Sequence, residues 1–370
     1  MSLELARRAA VLFRPFQYRG LSLANRIVMA PMTRGKSPHG IPGAAVSAYY
    51  RRRAAGGVGL IMTEGTYIAH AGAGFQPEVP RFHGEAALAG WGQVAEAVHA
   101  VGGRIFPQLW HVGLTAPAGA APAPQAVGPS GLLRAGEQVG EPLTQPQIDT
   151  IIQAYGEAAE SAERLGFDGV EIHGAHGYLI DQFFWEATNR RTDRYGGDLV
   201  RRTRFAVEVV QEIRRRVRAD YPVCLRFSQW KLHDYAAKLA RTPQELEQFL
   251  APLVEAGVDL FHCSQRRFWE PEFEGSTLNL AGWTRKLSGR PAISVGSVTL
   301  SEEFMSSFRS ADSAAVTGLE ELLERMEREE FDLVAIGRAL IVNPSWPRII
   351  ERGALAELLP FQRDVLQELV

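Results

Sequence analysis

Apolar residues recur along the chain in short, nearly unbroken runs, each followed by a longer stretch of mixed polarity. The runs lie at 27–32, 60–65, 104–110, 169–174, 223–228, 260–264, 292–296 and 333–337. They lack the apolar–polar alternation of a strand with one wet face, and so predict parallel strands covered on both sides. The stretches between them read as helices. Leu88, Trp91, Val94, Ala95 and Val98 share one helical face; so do Phe205, Val209 and Ile213, with Val210 and Val217 alongside. Thr242, Pro243 and Glu245 spell a capping box with proline at the first helical position. Thr144 and Gln147 spell a second ahead of Ile148, Ile151, Tyr155 and Leu165, while Gly166 and Gly257 stand where helices should stop.

Eight strand–helix units predict a single (β/α)8 TIM barrel, built as one domain from residues 1–370. The alternative, an open doubly wound sheet, would carry a GxGxxG turn after an early strand, and the chain has none. Residues 113–143 are rich in Ala, Pro and Gly and too long for a plain connection. They predict an excursion after the third strand that covers the barrel mouth.

Charge and cysteine content narrow the function. With 40 Lys and Arg against 42 Asp and Glu, the net charge is −2, which offers no electrostatic reason to bind nucleic acid or an anionic membrane. The runs Arg51 to Arg53 and Arg214 to Arg216 read as solvated helix faces. The only cysteines, Cys224 and Cys263, cannot build a disulfide framework, a four-thiolate zinc site or a cysteine-ligated iron–sulfur cluster. A reduced, cytoplasmic setting is expected. No apolar run reaches membrane-spanning length, and the N-terminal stretch shows no signal-peptide pattern.

Barrel chemistry sits at the C-terminal ends of the strands. There the sequence places Thr33 and Arg34, Glu64, then Gln108, Trp110 and His111. His173, His176 and Tyr178 follow, then Arg226, Ser264 and Gln265, Gly296, and finally Gly337 with Arg338. No lysine falls in any of the eight runs. Glycines closing runs seven and eight, with Arg338 opening a helix, predict a phosphate site. His173 and His176 are three apart, so both can address one atom. A metal would need a third ligand and usually a carboxylate base, and no HExxH is present, so no metal is expected. Read as donors, the two imidazoles would stabilise charge on a substrate oxygen, and the Tyr178 phenol would protonate a neighbouring carbon. Arg226 stands in an otherwise apolar run; it implies either an internal salt bridge or a cation beside a ligand that becomes anionic. The Gln108 amide can offer a donor and an acceptor to a heterocycle edge.

The stretch LFRPFQYRGLSLANRIVMAPMTR at 12–34, QLWHVG at 108–113, HGAHGYLIDQF at 173–183, NRRTDRYGG at 189–197 and VAIGRALIVNP at 334–344 occur in order and in register with the predicted strands. Together they resemble the Old Yellow Enzyme family of FMN-dependent ene-reductases over nearly the whole chain. Thr33, where another branch has cysteine, is similar to the threonine-type branch. The resemblance implies non-covalent FMN at the barrel mouth. Pro31, Met32, Thr33, Gly65 and Gln108 would line the flavin, and Arg226 would stabilise its anionic reduced form. Gly296, Ser297, Gly337 and Arg338 would hold its phosphate. It further implies that NAD(P)H first reduces the flavin and then leaves. An activated alkene follows, its carbonyl or nitro oxygen on His173 and His176. Flavin N5 would give hydride to the β-carbon while Tyr178 protonates the α-carbon, in a pocket shaped by Trp110. Members are monomers or homodimers.

Nitroester or nitroaromatic reduction on the same scaffold is an alternative. So are a phosphate-binding barrel lyase or isomerase without flavin, for which a strand lysine or carboxylate base would be needed, and a non-catalytic flavin carrier. The chain departs from the family at 198–202, reading DLVRR, and adds aromatics at 229–235 and 266–275. These aromatics imply either a lid or packing over the rim.

Overall fold

A computed structural model describes residues 2–116, 125–301 and 315–370. Eight parallel strands close into a barrel, as the spacing of apolar runs predicts: β1 Ile27–Met29, β2 Leu60–Tyr67, β3 Ile105–Trp110, β4 Val170–His176, β5 Val223–Lys231, β6 Leu260–Ser264, β7 Ala292–Val295 and β8 Leu333–Ile336. β8 pairs with β1, so no edge is left open. A helix follows each strand, among them Glu85–His99, Gln145–Arg164, Arg204–Arg216 and Pro243–Ala256.

Strand side chains alternate between the two faces, and this sorts the molecule into two apolar layers. Val28, Leu60, Met62, Phe106, Cys224, Leu260, Ile293 and Leu333 fill the barrel. Phe16, Leu21 and Leu23 of an N-terminal hairpin (Phe16–Tyr18 with Leu21–Leu23) join that cluster and close the bottom, where the Gly20 N–H donates to the Asp220 carbonyl at 3.2 Å. The alternate strand residues, such as Ile61, Ile105, Ile172, Leu225 and Phe261, pack outward on Trp91, Val94, Tyr155, Val209 and Phe249 of the helices. Each such side chain, fully buried, contributes about 1.5–3 kcal/mol.

Helix ends follow the local signals with one difference. Gln147 Oε1 accepts from the Thr144 N–H at 2.8 Å, closing the first box. At the second, Thr242 Oγ1 accepts from the Glu245 N–H at 3.2 Å, but the Glu245 carboxylate reaches back to the Arg241 N–H at 2.6 Å rather than to Thr242. Gly257 ends that helix in the left-handed conformation.

Two sequence expectations are corrected. β5 continues past its apolar run to Lys231, so a lysine does lie on a strand; the strand outlasts the run because Gln229 and Lys231 find buried polar partners. Arg53 is not on a solvated face: it is fully buried, over the Tyr49 ring, and its guanidinium donates to the carbonyls of Leu340 and Ile341. Of the two alternatives for the 266–275 loop, packing accounts for Phe268 and Phe273, which belong to the apolar core.

Of the excursion at 113–143, residues 117–124 lie outside the described residues. The rest carries a small hairpin, Leu132–Arg134 with Glu137–Gln138. It is tied down by Arg191, which donates to the carbonyls of Pro129 and Leu143 at 2.7 and 2.6 Å. None of its described residues lines the central cavity. Among the described residues no helix is long and apolar enough to cross a membrane.

Candidate active site

The inward parity that fills the barrel with Phe106, Cys224 and Leu260 continues upward to Gln108 and Trp110, to Arg226, and to His262 and Ser264. At the mouth Gln108, Trp110, Arg226 and Ser264 border a cavity of about 280 Å³. Pro31, Met32, Thr33, Gln108, Trp110, His173, His176, Tyr178, Arg226, Gly296, Ser297, Gly337 and Arg338 all line it. Of the residues assigned to ligands, only Gly65 does not. A Cβ there would lie 2.5 Å from the Trp110 ring, so glycine at 65 lets Trp110 pack flat behind the cavity. His111 also turns away, fully buried and bonded to His70 at 2.9 Å.

One wall is an aromatic cluster. Tyr178 stands edge-on to both Trp110 and His173, each 4.9 Å between ring centroids, and His173 lies 5.2 Å from His176. Burial first, then the Arg226 cation, holds both imidazoles well below their ordinary pKa, so they are neutral. The Ala175 N–H donates to His173 Nδ1 at 3.4 Å. That nitrogen is therefore bare and Nε2 carries the proton. Burial, reinforced by Tyr67, pushes the Tyr178 phenol up, so it stays protonated.

Beneath the cavity lies a polar layer that no motif in the sequence marks. Glu171, fully buried, accepts from Gln108 Nε2 at 2.7 Å and pairs with His262 Nδ1 at 2.6 Å. Burial works against its charge, but His262, Arg226 and Gln108 outweigh that and keep the carboxylate ionised. With its amide nitrogen committed to Glu171, Gln108 presents its oxygen to the cavity as an acceptor. Shared strand parity with His173 and Ser264 is the signal that could have found both Glu171 and His262.

Arg226 is buried, its Nη2 donates to Ser264 Oγ at 3.2 Å, and its Nε has no hydrogen-bond partner. Trp110 Nε1 is likewise buried without a partner. A guanidinium left with an open donor in a cavity wall calls for an acceptor from a ligand. At the far side, a Cβ on Gly296 would meet the Gln265 carbonyl oxygen at 2.9 Å, and its φ is +149°. Only glycine lets the chain pass there into Ser297, and Gly337 closes β8 opposite. Two further features belong to the wall. Trp230 stacks on His176 at 4.5 Å with its Nε1 bonded to the Ser264 carbonyl at 3.1 Å. Phe361 and Leu366 of the C-terminal segment also line the cavity, while Arg34 Nη2 donates to the carbonyls of Val365, Leu366 and Glu368.

Glu64 steadies the turn bearing Thr33. Its Oε2 accepts from the N–H groups of both Arg34 and Gly35 at 2.9 Å. Burial raises the carboxyl from 4.5 to about 7. The folded state thus holds this proton more tightly than the unfolded chain, so the contribution to stability is complete below about pH 4.5 and is lost as pH rises through 7. Glu64→Gln keeps an oxygen for both N–H groups and removes the titration. Relative to the parent it should gain about 3 kcal/mol of stability between pH 4 and pH 8. Urea titrations at the two pH values check this; a pH-independent difference would count against it.

These residues fit FMN. Gln108 offers an acceptor and Arg226 an open donor to the ring's polar edge, and Arg338 lines the cavity beside glycine-bordered backbone that suits a phosphate. Fold and site together define a flavin-binding (β/α)8 barrel of the oxidoreductase type. Residues 11–357 match the profile of the NADH:flavin oxidoreductase / NADH oxidase family. An NADH oxidase of Thermoanaerobacter brockii is 36% identical over 349 residues, covering 91% of this chain and 50% of that protein. The 12-oxophytodienoate reductase 7 of Oryza sativa subsp. japonica is 42% identical over 227 residues, covering 58% of this chain and 57% of that one. The chain thus spans about half the length of these two relatives. A structure of morphinone reductase in complex with tetrahydroNAD superposes with a TM-score of 0.77 at 31% identity, over 96% of this chain and 93% of that one. The chain belongs to the NADH:flavin oxidoreductase / NADH oxidase family, the group of the Old Yellow Enzymes. The cofactor of that family is FMN, the group this site fits.

Proposed function

We propose that the protein is an ene-reductase acting on alkenes activated by a carbonyl or nitro group. The observation that carries this reading is the triangle of His173, His176 and Tyr178: two neutral imidazoles beside a protonated phenol within one cavity wall. Pro31, Met32, Thr33, Gln108 and Arg226 would hold the isoalloxazine ring, and Gly296, Ser297, Gly337 and Arg338 the phosphate. Bound there, FMN supplies the transfer of hydride from NAD(P)H to the alkene. The remaining work falls to side chains. His173 and His176 donate to the activating oxygen, which gathers charge as the alkene is reduced, and fixed donors stabilise that charge. Tyr178 gives its phenolic proton to the α-carbon. Trp110 and Trp230 flank the histidines and exclude water from the reacting atoms.

The same donor pair would hold a nitro oxygen, so nitroaromatic reduction is a second reading for this wall; it has no need of Tyr178 as an acid. A barrel lyase without flavin is disfavoured. Lys231, the lysine found on a strand, is sealed against Asp181 and does not line the cavity.

The visible spectrum of the purified protein tests the proposal. A flavin spectrum that bleaches on anaerobic addition of NADPH and returns on adding 2-cyclohexenone is expected. Bleaching without return would strip His173 and His176 of oxygen binding and Tyr178 of proton donation. A colourless protein that takes up no FMN would overturn the reading altogether.

A further inference from the structure

We propose that Ser264 is a positioning residue that decides which nitrogen of His176 carries the proton, and so makes His176 a donor towards the substrate oxygen. The inference rests on the proposed role of His173 and His176 in binding that oxygen. Ser264 ends β6 on the inward side and is 3% exposed. Its hydroxyl is shared between two groups: Arg226 Nη2 at 3.2 Å and His176 Nε2 at 2.7 Å. A guanidinium can only donate, so Ser264 Oγ accepts from Arg226. The hydroxyl hydrogen is then directed to His176 Nε2. The opposite arrangement, with Nε2–H donating to the same oxygen, would set two donors on that oxygen and turn its own hydrogen away from the imidazole.

His176 Nε2 is therefore bare, and Nδ1 carries the proton into the cavity that His176 lines. The assignment is the mirror of His173, where a backbone N–H occupies Nδ1 and leaves Nε2–H free. Two histidines three residues apart thus become donors through different nitrogens, each set by a different neighbour. The bond from Arg226 also polarises the Ser264 hydroxyl and strengthens its grip on the imidazole. Arg226, Ser264 and His176 form a line from the cofactor side of the cavity to the substrate side. His176 has little freedom to evade this assignment. Its own N–H donates to Ser228 Oγ at 2.9 Å, its φ is +67°, and Trp230 covers its ring face.

The test uses FMN-loaded protein labelled with ¹⁵N-histidine. The expected result is an Nδ1–H signature for His176 in the parent and loss of that preference in Ser264→Ala, with FMN retained. The KM for 2-cyclohexenone should rise about tenfold in Ser264→Ala and fall back in Ser264→Thr, which keeps the hydroxyl. An Nε2–H signature in the parent would overturn the proposal, as would a Ser264→Ala protein with unchanged tautomer, whatever its KM. Failure of the underlying reading looks different: His176→Ala would leave the KM unchanged while the parent's tautomer still came out as stated.

Discussion

Tyr178→Phe is expected to lose turnover of 2-cyclohexenone by about 10²–10⁴-fold, the usual worth of a positioned acid. Anaerobic bleaching of the protein by NADPH should proceed at the parent rate. The two half-reactions separate because only the second needs a proton delivered to carbon. Phenylalanine keeps the edge-on contacts with Trp110 and His173 and removes only the hydroxyl. Because burial holds the phenol protonated, the parent rate should show no loss of acid catalysis up to pH 9. Stopped-flow measurement of each half-reaction checks this. Equal enone turnover in parent and variant would dismiss Tyr178 as the acid; retained reduction of a nitroaromatic alongside lost enone turnover would show both readings of the site to be within its reach.

Lys231→Met is expected to destabilise the fold by about 3–5 kcal/mol, the cost of stranding one member of a buried ion pair. Lys231 Nζ lies 2.6 Å from Asp181 Oδ1, both side chains wholly buried, and donates also to the Ser228 carbonyl at 3.2 Å. Asp181 accepts from the Gly177 N–H at 2.7 Å. The pair thus ties β5 to the turn carrying His176, Gly177 and Tyr178. Burial raises the Asp181 carboxyl, and Lys231 with the Gly177 N–H acts to lower it. Without the ammonium the carboxyl rises further, so the variant's deficit should be largest at pH 8 and shrink towards pH 5, where Asp181 can take up a proton. Adding Asp181→Asn, which keeps an oxygen for Gly177, should recover most of the loss. Urea midpoints of the single and double variants at both pH values decide the matter. A single variant within about 1 kcal/mol of the parent, or a double variant no better than the single, would show that the pair carries no such burden.

The barrel is legible in the sequence because strand and helix announce themselves locally. β6 coincides with its apolar run, and the others differ from theirs by a few residues at the ends. The extension of β5 beyond its run has a physical cause: Gln229 and Lys231 are polar, yet their hydrogen bonds are made inside the protein, with Ala240 and Asp181. Arg53 escapes the sequence pattern for the same reason, since three backbone carbonyls from two segments replace water around its guanidinium. Gly65 is expected beside the ligand, but what its missing side chain admits is the ring of Trp110.

By itself, then, the sequence determined the periodic pattern of the strands, the caps of the helices, and the motif residues that gather at the C-terminal ends. These depend on neighbours a few positions away, where steric and hydrogen-bonding preferences act without the rest of the fold. Only the tertiary structure decided the protonation and pairing of those residues. Which nitrogen of His173 or His176 bears a proton, whether Gln108 offers oxygen or nitrogen, and whether Lys231 is an exposed charge or a sealed one depend on Ala175, Ser264, Glu171 and Asp181. Three of those four partners lie 50 to 88 positions away in the chain. Burial removes water as a universal partner, so each polar atom takes its state from whichever group closure of the barrel sets against it.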